Sequence, residues 1–373
     1  MLRETTLMRA LGCQTAWIAA MILILLSTSQ ASGEWGALGF DPRRGYSAGN
    51  GESNEHPFRR CDACDLCSNT DCCEPAWTFT ADALFLHRSD PASLVLIENT
   101  ANPVENLNTG QLDLGVHTGV DLSLTLQLDE FDSLEVRYFG VDPWSAAASI
   151  PTTPGDLLRL NTAVPLFVDA GDSIDARYAS ELHNFEINGL TDVTDRLTLL
   201  GGFRYLELDE DLRATLINSL TPFSYGVATR NRLYGFQLGG RFKFWESCCQ
   251  DDCSGCCRCG RLTIDGTGKA GVYGNALARE SAVSTFRTVV PSSLPVRPRT
   301  AFVGELGVSA NYQMWNRLSV RGGYRLLWVD GVALASDQAA VTAFLPPALA
   351  PRPAIDTSTV FYHGAFVGIQ YQW

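Results

Sequence analysis

The chain has 373 residues, of which 46% are hydrophobic and 18% charged, and its net charge is −13. This composition excludes a disordered chain, which would contain fewer apolar residues, and a collagen, which would need far more glycine. The acidic balance argues against a nucleic-acid binder, because such proteins neutralise phosphates with a basic surface.

Residues 1–31 have the features of a secretory signal peptide. Two arginines precede an apolar stretch from Ala16 to Leu26, and Ser29 and Ala31 have the −3 and −1 spacing that signal peptidase accepts. About eleven apolar residues are too few for a membrane-spanning helix, which needs roughly twenty. We therefore expect an exported protein whose mature chain begins with an irregular, cysteine-rich segment at 32–75.

From residue 76 onward the sequence alternates between apolar and polar residues with a period of two. In Val116–Leu128, for example, the apolar residues fall on one face and His, Asp, Ser and Gln on the other. All 17 prolines fall outside the predicted strands, as expected for strands inside a closed ladder, and weak alternation suggests a bulge near His183. The pattern predicts ten strands, at about 77–88, 114–128, 133–141, 174–190, 197–214, 229–245, 262–276, 300–313, 318–331 and 358–373.

The connections between these strands alternate between long and short. The long ones are 89–113, 142–173, 215–228, 277–299 and 332–357, and the exception among the short ones is a cysteine-rich turn at 246–261. Such sorting is typical of a transmembrane β-barrel. We expect an all-β fold, an antiparallel up-and-down barrel at 76–373 with about ten strands. The number would be twelve if 142–173 or 332–357 contains further strands. A soluble β-sandwich is the alternative.

Two of the predicted strands begin with similar motifs. Arg196–Arg204 reads RLTLLGGFR and Arg317–Arg325 reads RLSVRGGYR, and the paired glycines are expected where a curved strand is crowded. With these motifs, the segment Phe185–Asn188 and a final strand ending on Trp373, the chain resembles a porin-like outer-membrane barrel family of planctomycete-type bacteria. That family is distantly similar to the Legionella major outer-membrane protein.

The resemblance implies an outer-membrane location, contact with outer-membrane lipids, insertion by the barrel-assembly machinery and passive permeation. Ile369, Tyr371 and Trp373 share one face of the last strand. This face is similar to the C-terminal signal that the assembly machinery reads. The family supplies no catalytic residues.

Charged residues are predicted to face the lumen of the barrel by their parity in the strands. A barrel of ten strands has a narrow lumen. The predicted lumen charges include both signs, which indicates that they form structural ion pairs. A selective conduction path would favour a ring of charges of one sign. The predicted lumen cations are Arg88, Arg137, Arg204, Arg241, Lys243, Lys269, Arg321 and Arg325, and the acids are Asp82, Asp121, Glu135, Glu186, Asp265 and Glu305.

Eleven cysteines lie in two clusters, within the segment 32–75 and in the turn 246–261. In an exported protein they favour disulfides, with cross-links to neighbouring chains as a further alternative. Zinc is the other interpretation, and no cofactor is assigned. The candidate metal ligands share CxxC spacing and are Cys61, Cys64, Cys67, Cys253 and Cys256.

Catalysis is not expected. His87 and His117 lie near the outer rim with Asp90 and Asp113 close in sequence, but no nucleophile motif accompanies them. The sequence predicts a structural or narrow pore-forming outer-membrane barrel. A periplasmic or cell-surface β-rich binding module and a barrel enzyme with rim His and Asp are the alternatives. The apolar loop Ala333–Ala350 is expected in the mouth, at the membrane interface or against a partner.

Overall fold

The structure is a computed structural model of the full chain. The residues that it describes are 76–91, 93–99, 106–129, 131–151, 157–160, 165–167, 173–217, 223–247, 262–284, 289–315, 317–341 and 355–373. The predicted signal peptide, the segment 32–75 and both cysteine clusters lie outside these residues. No helix among the described residues is long and apolar enough to span a membrane.

Ten antiparallel strands close into a barrel, which confirms the predicted fold class. Each barrel strand pairs with the barrel strands before and after it, and the first strand closes the barrel by pairing with both the second and the last. The barrel strands are β1 (Trp77–Arg88), β4 (Val116–Gln127), β5 (Asp132–Pro151), β8 (Ser173–Thr194), β9 (Leu197–Ile217), β10 (Phe223–Glu246), β11 (Leu262–Ser284), β12 (Val289–Trp315), β13 (Leu318–Val332) and β14 (Ser358–Gln372).

We call the end of the barrel where β1 begins and β14 ends the terminal end, and the opposite end the mouth. Toward the mouth, four short strands form a separate sheet in the order β3-β2-β6-β7. These are β2 (Val95–Asn99), β3 (Leu107–Asn108), β6 (Leu157–Leu160) and β7 (Pro165–Phe167), and a helix α1 (Ala335–Val341) lies between β13 and β14. The sequence pattern did not predict this small sheet, because its strands are too short to show alternation.

Several strands extend further toward the mouth than predicted. The segments 215–228 and 277–299 were expected to be loops, but β9 and β10 are separated only by 218–222, and β11 and β12 only by 285–288. The outward-facing residues of the β10 extension, Ser224, Gly226 and Ala228, are small, so this extension lacks the outer apolar face that marks the other strands. Short connections therefore occur at both ends of the barrel, and the predicted sorting of loop lengths holds only in part.

The expectation that all prolines avoid the strands was wrong. Pro143 lies inside β5, at a register shift between Val141 and Trp144, and three further prolines lie in the mouth extension of β12. Proline cannot donate to a ladder, so a bulge is where a strand tolerates it. A bulge is present close to His183 as expected, but the one extra residue belongs to β5 and not to β8.

The barrel is apolar outside and polar inside. Large apolar side chains are strongly exposed on its outer face, such as Phe236 (76%) and Leu238 (74%), while most of the predicted lumen charges are buried. On β10 this apolar face runs from Tyr234 to Trp245, which corresponds to a belt about 25–30 Å high for tilted strands. Such an arrangement is that of a barrel whose outer surface contacts hydrocarbon.

Candidate functional site

The lumen contains a layer of ion pairs centred on Glu186 of β8. Its carboxylate accepts hydrogen bonds from three cations of three other strands: Arg137 Nη1 at 3.0 Å, Arg204 Nη2 at 2.8 Å and Lys269 Nζ at 2.8 Å. Neutral donors complete the set, namely Asn184 at 3.0 Å, Asn188 at 3.1 Å and Gln237 at 2.7 Å. Glu186 is fully buried, and six donors compensate for the lost hydration of its charge.

Glu305 of β12 holds the other side of the same layer. It accepts from Arg137 Nη1 at 2.9 Å and from Arg204, and Arg325 lies 3.5 Å away. Arg137 also donates two hydrogen bonds to the carboxylate of Asp121, from Nε at 3.0 Å and from Nη2 at 2.8 Å, in a bidentate arrangement. We call Asp121, Arg137, Glu186, Arg204, Lys269, Glu305 and Arg325 the central layer; its seven residues come from seven strands.

A second group of predicted lumen charges lies between the central layer and the terminal end. Arg241 pairs with Glu135, and Arg321 lies 3.5 Å from Asp82. The remaining two make local contacts: Lys243 pairs with Glu246 at 3.1 Å, and Asp265 accepts a hydrogen bond from Asn311 at 2.8 Å. Positive and negative groups thus alternate across the lumen, and the described residues form no ring of a single sign.

The strands approach one another closely where this layer packs. A Cβ added to Gly202, on the inner face of β9, would lie 2.1 Å from the carbonyl oxygen of Ile187 and 2.5 Å from Oδ1 of Asn188. No larger residue fits there without moving β8. The other glycine of the pair, Gly201, points outward; a Cβ added there would lie 3.2 Å from the side chain of Leu238 and at an ordinary 3.9 Å from the carbonyl oxygen of Gln237.

Between the central layer and the mouth, the lumen is filled by apolar and aromatic side chains. Trp144 is fully buried, its Nε1 donates to the carbonyl oxygen of Leu86 at 3.3 Å, and its ring lies 5.3 Å from that of Tyr362. Residues from outside the barrel wall join this apolar layer: Leu96, Ile97, Leu107, Leu112, Leu114, Leu334, Ala335 and Ala339. The described part of the loop Ala333–Ala350 therefore folds into the mouth, one of the three expected positions.

One predicted lumen charge, Arg88, lies in this apolar layer instead of the ion-pair region. It pairs with Glu210, which also accepts from Tyr178 at 2.6 Å and from the backbone N–H of Ala335 at 2.8 Å. Asn231 fixes the same connection, since its side chain bonds both the N–H (2.7 Å) and the carbonyl oxygen (2.9 Å) of Ala333. The chain between β13 and α1 is thus tied to the barrel wall by polar groups.

Sequence reasoning missed several lumen residues. Glu210, Asn184, Asn188 and Gln237 have inward parity in predicted strands, so the same rule that gave the charged residues identifies them once neutral groups are counted. Arg279 is also buried, but it lies in the segment 277–299, for which the sequence predicts a loop and therefore no inner face.

The two rim histidines lie on opposite faces of the wall. His87 faces outward and stands directly opposite His363 of β14, with the ring centroids 5.1 Å apart. His117 faces the lumen, 6.1 Å from Trp144. Because they point to different sides, they do not combine in one site. Among the described residues no group of three or more His, Cys, Asp or Glu could hold a metal ion.

The C-terminal residues complete the closure of the barrel at the terminal end. The backbone N–H of Trp373 donates to the carbonyl oxygen of Trp77 at 3.0 Å, and the reverse bond measures 3.1 Å. The two indole rings stack at 6.4 Å, and Tyr371 stacks on Trp373 at 5.7 Å. Ile369, Tyr371 and Trp373 are all exposed on the outer face.

No protein-family model matches the sequence, and no curated protein is significantly similar to it. Solved structures with a similar fold include the outer membrane protease OmpT from Escherichia coli, at 9% identity and a TM-score of 0.39, over 80% of this chain and 96% of that one. The translocator domain of the autotransporter NalP from Neisseria meningitidis shares 10% identity at a TM-score of 0.38, over 83% and 92%. The TodX monoaromatic hydrocarbon channel has 9% sequence identity to this chain and a TM-score of 0.25, and the similarity covers 80% of this chain and 90% of the channel. Similarity at this level carries no information on activity.

Proposed function

We propose that this protein is an outer-membrane β-barrel with a sealed lumen and a structural role, and that it does not conduct solutes in this conformation. The observation that carries the proposal is the central layer, in which charged side chains from seven strands meet each other across the lumen. A pore needs a continuous path of water, and a passing ion would have to displace partners that satisfy buried charges.

The apolar layer reinforces the seal. It lies in series with the central layer, so a solute would have to pass both. Trp144, Tyr362 and the residues contributed by the connection after β13 are fully or almost fully buried. A narrow pore, the other form of the predicted function, would require both layers to rearrange.

The belt on the outer face supports the membrane location. Its terminal edge is lined by exposed aromatic side chains, among them Phe244, Trp245, Tyr312, Trp315 and Trp373, as is common at a membrane interface. At the opposite edge, charged pairs such as Arg232–Glu207 (3.1 Å) replace them. A soluble binding module would not expose such a belt.

The predicted export signal, together with the barrel, makes the outer membrane the proposed compartment. Insertion by the barrel-assembly machinery is proposed on the exposed aromatic C-terminal face. Membership of the planctomycete-type porin-like family is proposed on the repeated RLxxxGG-aromatic-R motif, which forms the start of β9 and of β13. No enzymatic activity is proposed.

The decisive experiment is conductance of the refolded, full-length protein in a planar bilayer. We expect vesicle flotation and heat-modifiable migration to show insertion, and the inserted protein to give no discrete conductance steps. Steps from the wild-type protein would overturn the sealed lumen. Failure to associate with vesicles would overturn the membrane location itself.

A matched pair of substitutions on β10 tests the belt separately. Leu238→Arg places a charge near its middle and is expected to lower the stability of the inserted barrel by about 2–4 kcal/mol. Ala228→Arg places the same charge on the same face nearer the mouth, where Asp211 and Glu280 stand opposite, and is expected to have little effect. Equal effects of the two substitutions would contradict the proposed position of the membrane.

A further inference from the structure

The buried cations of the barrel wall differ in whether they form an ion pair. Most of them form an ion pair with a carboxylate of another strand: Arg88, Arg137, Arg204, Lys269 and Arg325. Arg279, on the inner face of the mouth extension of β11, is 2% exposed and forms no ion pair with any described residue. An isolated buried charge is unfavourable, so this guanidinium stands out from the rest of the wall.

The hydrogen bonds of Arg279 leave part of its guanidinium unused. Nη1 donates to the side-chain oxygen of Gln338 in α1 at 3.3 Å, whereas Nε is buried and has no hydrogen-bond partner. Directly opposite on β10 stands Thr229, whose buried hydroxyl also lacks a partner. Two unsatisfied polar groups, one of them charged, therefore lie side by side on the inner wall of the mouth.

The nearby described acids do not form an ion pair with Arg279. Asp356 acts on Arg279 electrostatically but forms no ion pair with it, and it is exposed to solvent. Glu280, the next residue along β11, is exposed and points to the other face of the sheet. Burial accordingly lowers the pKa of the Arg279 guanidinium.

From this arrangement we infer that Arg279 and Thr229 form a binding site in the mouth for a small oxyanion, a carboxylate or phosphate group. The unpartnered Nε–H of Arg279 can donate a charge-assisted hydrogen bond to such a group, and the hydroxyl of Thr229 can donate a second one. Gln338 holds the guanidinium from the other side and thereby connects the site to α1. The site does not depend on whether the lumen conducts.

The test is isothermal titration of the refolded full-length protein in detergent with inorganic phosphate and, separately, with acetate, at constant ionic strength maintained with chloride. We expect one of the two oxyanions to bind at least tenfold more tightly than chloride, and which one binds distinguishes a phosphate site from a carboxylate site. No binding of either, or equal binding of chloride, would overturn the inference.

Variants identify the residue responsible. Arg279→Gln should weaken binding at least tenfold, and Thr229→Val should weaken it by a smaller factor. Arg213→Gln serves as the matched control because Arg213 also lies toward the mouth, but it is exposed and already paired with Asp211 at 2.6 Å. If Arg279→Gln does not fold, Arg279→Lys serves as the second variant. It retains the positive charge without the guanidinium group, and it should still bind the oxyanion more weakly than the wild-type protein. Unchanged binding by the folded Arg279 variants would refute the assignment.

Discussion

Replacing Glu186 by glutamine tests whether the central layer stabilises the barrel. The substitution preserves the shape of the side chain but leaves Arg137, Arg204 and Lys269 without one of their acids. The layer contains four cations and three acids, so the variant would hold four cations against two. Removing one partner of a buried ion pair costs about 3–5 kcal/mol, and we expect Glu186→Gln to lower the free energy of unfolding by that amount.

The assay is urea unfolding of the barrel in lipid vesicles, followed by tryptophan fluorescence. Glu207→Gln is the matched control, since Glu207 faces outward and its pair with Arg232 is partly exposed; the expected change is about 0–1 kcal/mol. Adding Lys269→Met to Glu186→Gln removes one surplus cation and should recover about 1–3 kcal/mol. A Glu186→Gln variant as stable as the control would refute the reasoning that the layer must be electrically paired.

Three further predictions concern the packing and one turn. Trp144→Ala empties a fully buried site and should lower the free energy of unfolding by about 3–5 kcal/mol in the same assay. Gly202→Ala should cost about 1–3 kcal/mol because its Cβ meets backbone, whereas Gly201→Ala, which meets a movable side chain, should cost less; equal costs would contradict the close approach. Asp129 accepts backbone N–H bonds in the turn after β4, which hold its pKa below the ordinary 3.8, so its contribution to stability is present above that pH and lost as pH falls through the lowered pKa. NMR titration of its carboxyl carbon checks this, and a pKa at or above 3.8 would disprove it.

The parts of the fold that the sequence could predict are those in which a strand has one face toward lipid. There the alternation is strong, and β1, β9, β11 and β13 begin where the pattern places them. Beyond the belt the outer face does not meet hydrocarbon, and the selection for large apolar side chains on that face disappears. The extensions of β10 and β12 therefore look like loops in the sequence although they continue the ladder.

The alternation within a strand predicts which residues face the lumen, but it does not predict which of these residues form ion pairs with each other. Parity in a strand assigns a residue such as Glu305 to the inner face, whereas its partner Arg137 is 168 positions away and follows only from the closed geometry. Parity also fails to give depth, so Arg88 was grouped with the other charges although it lies in the apolar layer. Whether the cysteines form disulfides or bind zinc stays a prediction.

The long sequence separation within the central layer has a consequence for how the barrel is made. Arg137 of β5 reaches Glu305 of β12 only across a closed lumen, and the junction of β1 with β14 is the last to become available along the chain. While the sheet is still open, Glu186 can already pair with Arg137 and Arg204 of the neighbouring strands, whereas Arg137 and Glu305 cannot reach each other. The last part of the neutralisation therefore coincides with the joining of the two end strands, and we expect this closure to be a late, concerted step of assembly.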